Sequence, residues 1–190
     1  GEMNGLDRAQ RLVHVAPFVD EDGVLVTHQH SIPYDTLVIA VGSRSNDFGT
    51  PGVEEHALKL ETLADAERFH RRMLDACIRA HAQNEALRPS QLQLAVIGAG
   101  ATGVELVAQL HRTTREVVAF GLDTINPERD IKLHLIEAAD RVLPALSPRI
   151  SLGAHELLDG LGIVVHINAR VSGVGADYVE LADGTRIPAE

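Results

Sequence analysis

Three glycines, Gly98, Gly100 and Gly103, stand in the order G-x-G-x-x-G within "LAVIGAGATGVELVAQL", residues 94–110. The motif follows a β-type apolar run and opens a helical one, the context in which each glycine has a mechanical reason. Gly98 permits a tight turn, Gly100 lets the backbone approach a pyrophosphate, and Gly103 lets the helix pack close to the strand. With Ala99 inside the turn, the phosphates of a dinucleotide would meet unpaired N–H groups around Ala101, Thr102 and Gly103, at the helix N-terminus. The turn by itself leaves NAD and FAD both open. An acid should then close the second strand, where its carboxylate takes both ribose hydroxyls of the adenosine half. Glu137, followed by Ala138 at the end of "IKLHLIEA", fits that place. It lies further beyond the glycines than the roughly 20 residues usual, and the stretch "GLDTINPERD" accounts for the excess. A carboxylate there repels the 2′-phosphate of NADP. Arg141 is close enough to receive that phosphate, so NADP stays open. Glu105 is the third acid of interest. In a first helical turn it would complement the helix dipole; facing the reacting rings, it could position nicotinamide or relay a proton.

Other chemistries find less support. The formal charge of −10 and an aromatic content of 3% argue against nucleic acid, which needs a basic face and stacking platforms. One cysteine, Cys77, excludes an internal disulfide or redox-active pair within these residues. The ten histidines are scattered without metal-ligand spacing, so no metal is expected. Only His28 and His30 would share a strand face, and a solvated face explains them. Nucleophile-elbow and phosphate-loop motifs do not occur.

The elements needed to position these residues can be read from the pattern. β-rich runs lie near Val24–Thr27 and Thr36–Val41, with "DEDG" as a turn before the first and Pro33 between them. "NDFGTPGVEEHA" is dense in turn residues, and a domain crossing is expected near Pro51 and Gly52. Thr62 and Asp65 form a capping pair for a helix whose apolar stripe is Ala66, Phe69, Met73, Cys77 and Ala80. Strand 94–97, the glycine turn and a helix with Val104, Val107, Ala108 and Leu110 on its apolar side come next. Strand "IKLHLIEA" and a helix from the Ser147 N-cap and Pro148 to about Leu161 follow, stopped by Gly162. After strand "IVVHI", turns at Ala176-Asp177 and Asp183-Gly184 mark an antiparallel meander. The fold class is α/β: a Rossmann-like, doubly wound parallel sheet with helices on both faces and a small meander.

The combination of "YDTLVIAVGS", "PG", a helix, "AVIGAGATGVELVAQL", "HLIEAADRVLP" and "LADGTRIPAE" closely resembles the type II NADH dehydrogenases. These are NADH:quinone oxidoreductases of the flavoprotein superfamily with two dinucleotide-binding domains. The resemblance implies that residues 1–50 are the later, incomplete part of an FAD-binding domain, with the strand at Ala40 to Gly42 near the flavin. Residues 51–190 would be an NADH-binding domain truncated at its C-terminus, so the glycine turn would hold NADH, with FAD held elsewhere in the full-length protein. The implied reaction passes hydride from nicotinamide to flavin and then two electrons to a membrane quinone, without proton pumping. "TGVE" carries the family's buried glutamate onto Glu105, "LIEA" carries its ribose-binding acid onto Glu137, and Val171 falls where the superfamily packs adenine.

The chain starts at Gly1 without methionine and stops after a hairpin strand, so a piece of a longer protein is expected. The flavin fingerprint, quinone-site segments and membrane anchor of the family are absent from it, and the piece alone is expected to be inactive. Its apolar runs are too short to cross a bilayer and no signal peptide precedes them. The expected location is cytoplasmic, with the full-length protein peripheral on the cytoplasmic face of the inner membrane. A meander cut off before it returns to the sheet would leave an edge for a partner chain, and a homodimer is among the expected assemblies.

Overall fold

The computed structural model describes residues 2–42 and 44–190, which divide into two compact units, Gly1–Ser43 and Arg44–Glu190. The first contains β1 (Met3–Asp7), β2 (Leu12–Val15), β3 (Phe18–Val19), β4 (Leu25–Thr27) and β5 (His30–Pro33). β1, β2 and β5 form an antiparallel sheet in that order, and β3 pairs with β4. The "DEDG" turn is present: Asp20 Oδ1 accepts the Asp22 and Val24 N–H groups, and Gly23 adopts φ +81. Pro33 ends β5, which pairs on one side only, where a missing N–H costs no ladder bond.

The run Thr36–Val41 is not a strand. Val38, Ile39 and Val41 are 80%, 59% and 85% exposed. A continuous apolar run reads as a strand buried on both faces. Such a strand needs hydrogen-bonding neighbours, and none among the described residues pairs with it. Ser43, the last residue of "YDTLVIAVGS", lies outside the described residues. His28 falls between β4 and β5, so it does not share a strand with His30; its carbonyl instead lies 3.0 Å from His30 Nδ1.

The second unit contains α1 (Val53–His56), α2 (Leu63–Ala82), β6 (Gln93–Ile97), α3 (Ala101–Ala119), α4 (Pro127–Asp130), β7 (Lys132–Ile136), α5 (Pro148–Gly160), β8 (Val164–His166), β9 (Val171–Val174), β10 (Tyr178–Leu181) and β11 (Arg186–Pro188). β6, β7 and β8 form a parallel sheet in that order, with Val96, Leu135 and Val165 in register. Alternation along β7 divides the core. Leu133 and Leu135 point into a cluster with Cys77 and Ala80 of α2, Val107 and Leu110 of α3, and Leu158 of α5. Ile136 points the other way, onto Val179, Leu181 and Ile187 of the antiparallel sheet β9-β10-β11. The meander therefore covers the sheet face opposite that helical cluster.

Local chemistry sets the element ends. Thr62 and Asp65 make the reciprocal capping box at the start of α2. Gly162 stops α5 at φ +74, and the Ile163 N–H reaches back to the Leu158 carbonyl. Ser147 holds the N-cap position of α5, but its side chain makes no capping bond. There the start is set by Pro148, whose φ is pre-organised and which has no N–H to satisfy, while the Ser151 hydroxyl ties the first turn to the Val142 carbonyl at 2.6 Å.

Between the sheet and the meander a polar chain crosses the strands. Gln93 Nε2 donates to the Pro89 carbonyl, which turns Gln93 Oε1 toward His134 Nε2 at 3.1 Å. His134 Nε2 therefore carries the proton, and Nδ1 accepts from His166 Nε2 at 3.1 Å. Burial, with the neighbouring His166 and Lys132, pushes His134 down to about 4. The unfolded chain takes this proton first, so the stability from His134 is complete above the ordinary value of 6.5 and is lost as pH falls toward 4. A loss on the order of 2 kcal/mol is expected across that window. Urea midpoints between pH 7.5 and 4.5 check it: the slope should flatten in His134→Phe, and equal slopes would refute the assignment.

Candidate functional site

The glycine turn joins β6 to α3. Gly98 has φ +99, a conformation that side-chain-bearing residues rarely adopt, and its N–H donates to the Ile136 carbonyl at 2.8 Å. A Cβ on Gly103 would overlap the Gly98 carbonyl oxygen and lie 3.6 Å from Val96 Cγ1, so only glycine lets α3 sit this close to the strand. Gly100 is extended, and a Cβ there would meet nothing within 4 Å. Its backbone faces open space, as close approach by a ligand requires. No side chain caps α3 and no acid lies in its first turn, so its positive end is not neutralised by the chain. These features fit a diphosphate.

Glu137 follows the last residue of β7, and both carboxylate oxygens are in use. Oε2 accepts the Ala99 N–H at 2.7 Å and Oε1 accepts the Ala139 N–H at 2.9 Å. One side chain thus braces the glycine turn against the end of the second strand. This bond could not be read from spacing alone, since Ala99 and Glu137 are distant in sequence. A carboxylate has about four lone-pair sites, so the brace leaves acceptor capacity for two hydroxyls.

Gly98, Gly100, Ala101, Thr102, Gly103, Glu137, Ala138 and Val171 all line one cleft of about 940 Å³ within the second unit. Ala99 is buried directly beneath the turn, its carbonyl accepting the Leu143 N–H at 2.7 Å. The far wall is built from distant segments: Phe48, Val53, Val174 and Tyr178 come from segment 45–60, which includes α1, and from the meander. Gly52 holds that wall together, because its φ is +78 and a Cβ would overlap the Val174 carbonyl oxygen. Arg170 also lines the cleft. Its only sequence signal is its position before Val171.

Arg141 and Glu105 do not join this group. Arg141 turns back on its own loop, toward Asp140 Oδ1 at 3.2 Å and the Pro144 carbonyl at 3.1 Å, and its Nε is buried without a partner. Glu105 is exposed and outside the cleft. Because α3 begins at Ala101, Glu105 also stands in the second turn, where the dipole effect has faded. Both the buried position and the first-turn position expected for it are therefore corrected. Ala40 and Gly42 belong to the first unit, both exposed in irregular backbone. No helix among the described residues is long and apolar enough to cross a membrane.

A parallel β-α-β-α-β sheet with a glycine turn at its first helix, backed by a meander, is the Rossmann-type domain of FAD- and NAD-dependent oxidoreductases. The pyridine nucleotide-disulphide oxidoreductase family matches over residues 4–190, and the chain belongs to it. Among curated relatives, the type II NADH:quinone oxidoreductase of Haemophilus influenzae is 30% identical over all of this chain and 45% of its own length. The type II NADH:quinone oxidoreductase NdhA of Mycobacterium tuberculosis is 31% identical over 94% of this chain and 36% of its own. The chain thus spans less than half the length of these relatives. In fold it is similar to NDH2 from Plasmodium falciparum, solved in complex with NADH, at a TM-score of 0.71, 24% identity and coverage of 94% of this chain and 36% of that one.

Proposed function

We propose that residues 51–190 are the NADH-binding domain of a flavin-dependent NADH:quinone oxidoreductase, and that residues 1–50 are the later, incomplete part of its FAD-binding domain. The observation that carries this reading is the convergence of an uncapped α3 N-terminus, the three glycines and Glu137 on one cleft. The relatives' names supply the acceptor class. Bound NADH would supply a hydride to the flavin of the whole enzyme, which would pass two electrons to quinone.

The chain's own residues bind and orient the nucleotide. N–H groups of Ala101, Thr102 and Gly103 would hold the pyrophosphate, with Gly98 and Ala99 shaping the turn and Gly100 allowing close approach. Glu137 would take the adenosine ribose hydroxyls beside Ala138, and Val171 would pack on adenine. Glu105, exposed in the second turn of α3, is assigned to the nicotinamide end, as a carboxylate that positions the ring or relays a proton. Ala40 and Gly42 are assigned to the flavin side. Arg141 is the candidate contact for a 2′-phosphate, and Glu137 opposes that phosphate by charge. On this reading the whole enzyme would lie peripherally on the cytoplasmic face of the inner membrane, with a homodimer among its candidate assemblies.

Calorimetric titration of the chain with NADH and, separately, NADPH tests the site. NADH is expected to bind about 10-fold or more tightly than NADPH, since the 2′-phosphate would meet the Glu137 charge. Failure of both to bind would overturn the reading for this chain.

A further inference from the structure

Residues 166–169 are pinned to the Glu137 segment by three backbone hydrogen bonds. The Glu137 N–H donates to the His166 carbonyl at 2.8 Å, the Asn168 N–H to the Ala139 carbonyl at 2.7 Å, and the Ala169 N–H to the Glu137 carbonyl at 2.8 Å. Asn168 makes the bend between them at φ +54, a conformation that asparagine tolerates better than most residues. From the meander, the Ala182 N–H then fixes the Arg170 carbonyl at 2.8 Å. Position 170 is therefore held in register with Glu137, one Cα step of about 3.8 Å beyond a residue bonded to it.

Arg170 is exposed on the wall of the cleft that also carries Glu137, Ala138 and Val171. No carboxylate among the described residues pairs with its guanidinium. Glu137 does not, because its two oxygens are turned to the Ala99 and Ala139 N–H groups. The other cations of the cleft are committed or remote. Lys59 is paired with Asp47 at 2.7 Å, and Arg72 and Arg79 belong to α2, which packs on the sheet face opposite the meander. Arg141 would first have to leave Asp140 and the Pro144 carbonyl.

A ribose held through its hydroxyls by Glu137 presents its 2′ position at that carboxylate, so a 2′-phosphate arrives beside position 170. The planar guanidinium fork matches phosphate oxygens and stays charged at any working pH. We propose that Arg170 receives the 2′-phosphate of NADPH, and that the cleft takes NADPH as a second, weaker nucleotide despite the Glu137 charge. The inference rests on the reading of this cleft as a dinucleotide site. Arg170 offsets part of the repulsion from Glu137 without cancelling it, which keeps NADH the tighter ligand.

Calorimetry of the full chain with NADH and NADPH, repeated on Arg170 variants, reads the ratio of the two dissociation constants, in which a general loss of affinity cancels. From a wild-type preference for NADH of about 10-fold, Arg170→Ala should widen the ratio to about 100-fold, the loss of one charge-assisted hydrogen-bonded contact. Arg170→Lys keeps the charge without the fork and should fall between the two. Arg170→Glu, which adds a second repelling carboxylate, should exceed the alanine variant. Arg170→Gln, closer in length to arginine, decides the matter if Arg170→Ala does not fold. Wild type that binds NADH, with a ratio moved less than about 2-fold by the neutral and acidic variants, would overturn this inference alone. Wild type that binds neither nucleotide would overturn the site reading and this inference together.

Discussion

Glu137→Ala is expected to weaken NADH binding by about 100-fold, or roughly 2.7 kcal/mol. Two losses add. Removing the carboxylate would delete the acceptor proposed for the ribose hydroxyls, and charge-assisted hydrogen bonds of this kind contribute about 1.5–3 kcal/mol. It also releases the Ala99 and Ala139 N–H groups, held at 2.7 and 2.9 Å, so the glycine turn is no longer tied to the end of β7. The second loss separates this account from a simple ribose contact. Glu137→Gln keeps one amide oxygen but points an NH2 at one of the two N–H donors, so one brace survives and an intermediate loss is expected. Calorimetry with NADH measures the affinities, and hydrogen exchange at Ala99 and Ala139 measures the brace without ligand. Binding within about 3-fold of wild type in Glu137→Ala would sink the assignment.

Gly103→Val should cost about 3 kcal/mol of stability and abolish nucleotide binding, the upper end of what overpacking costs. A Cβ on Gly103 would occupy the place of the Gly98 carbonyl, and Val96 Cγ1 stands 3.6 Å away. Backbone, not a flexible side-chain end, must move, and the backbone in question is the turn itself. Gly100→Ala is the informative contrast. The space there is open, so stability should stay within about 0.5 kcal/mol, while a methyl group would project where the proposed pyrophosphate is to approach and binding should fall. Thermal melts with and without NADH distinguish the two substitutions. Equal losses of stability would show that the distinct roles given to the two glycines are mistaken.

Much of the second unit was legible because its signals are local. The capping pair Thr62 and Asp65, the Gly162 stop and the turn at Asp183-Gly184 each act within a few residues, and each stands where the pattern puts it. Periodicity likewise placed β6, α3, β7, α5 and β8. Prediction failed where an element depends on distant neighbours. Thr36–Val41 has the composition of a strand without partners, and the far wall of the cleft is assembled from segment 45–60 and the meander. Met3–Val15 yielded no strand to sequence reading, since a half-exposed antiparallel pair shows little periodicity.

For the candidate site the division follows the range of the forces involved. The glycine turn, with φ +99 at Gly98 and no room for a side chain at Gly103, was determined by residue type, because those requirements are steric and act over a few bonds. Glu137 was determined by its place at a strand end. Tertiary structure alone decided that Glu137 braces the turn, that Arg141 folds onto its own loop, and that Glu105 is exposed. Side-chain direction and hydrogen-bond partners depend on which strands lie side by side, and a sheet pairs residues that the chain keeps far apart.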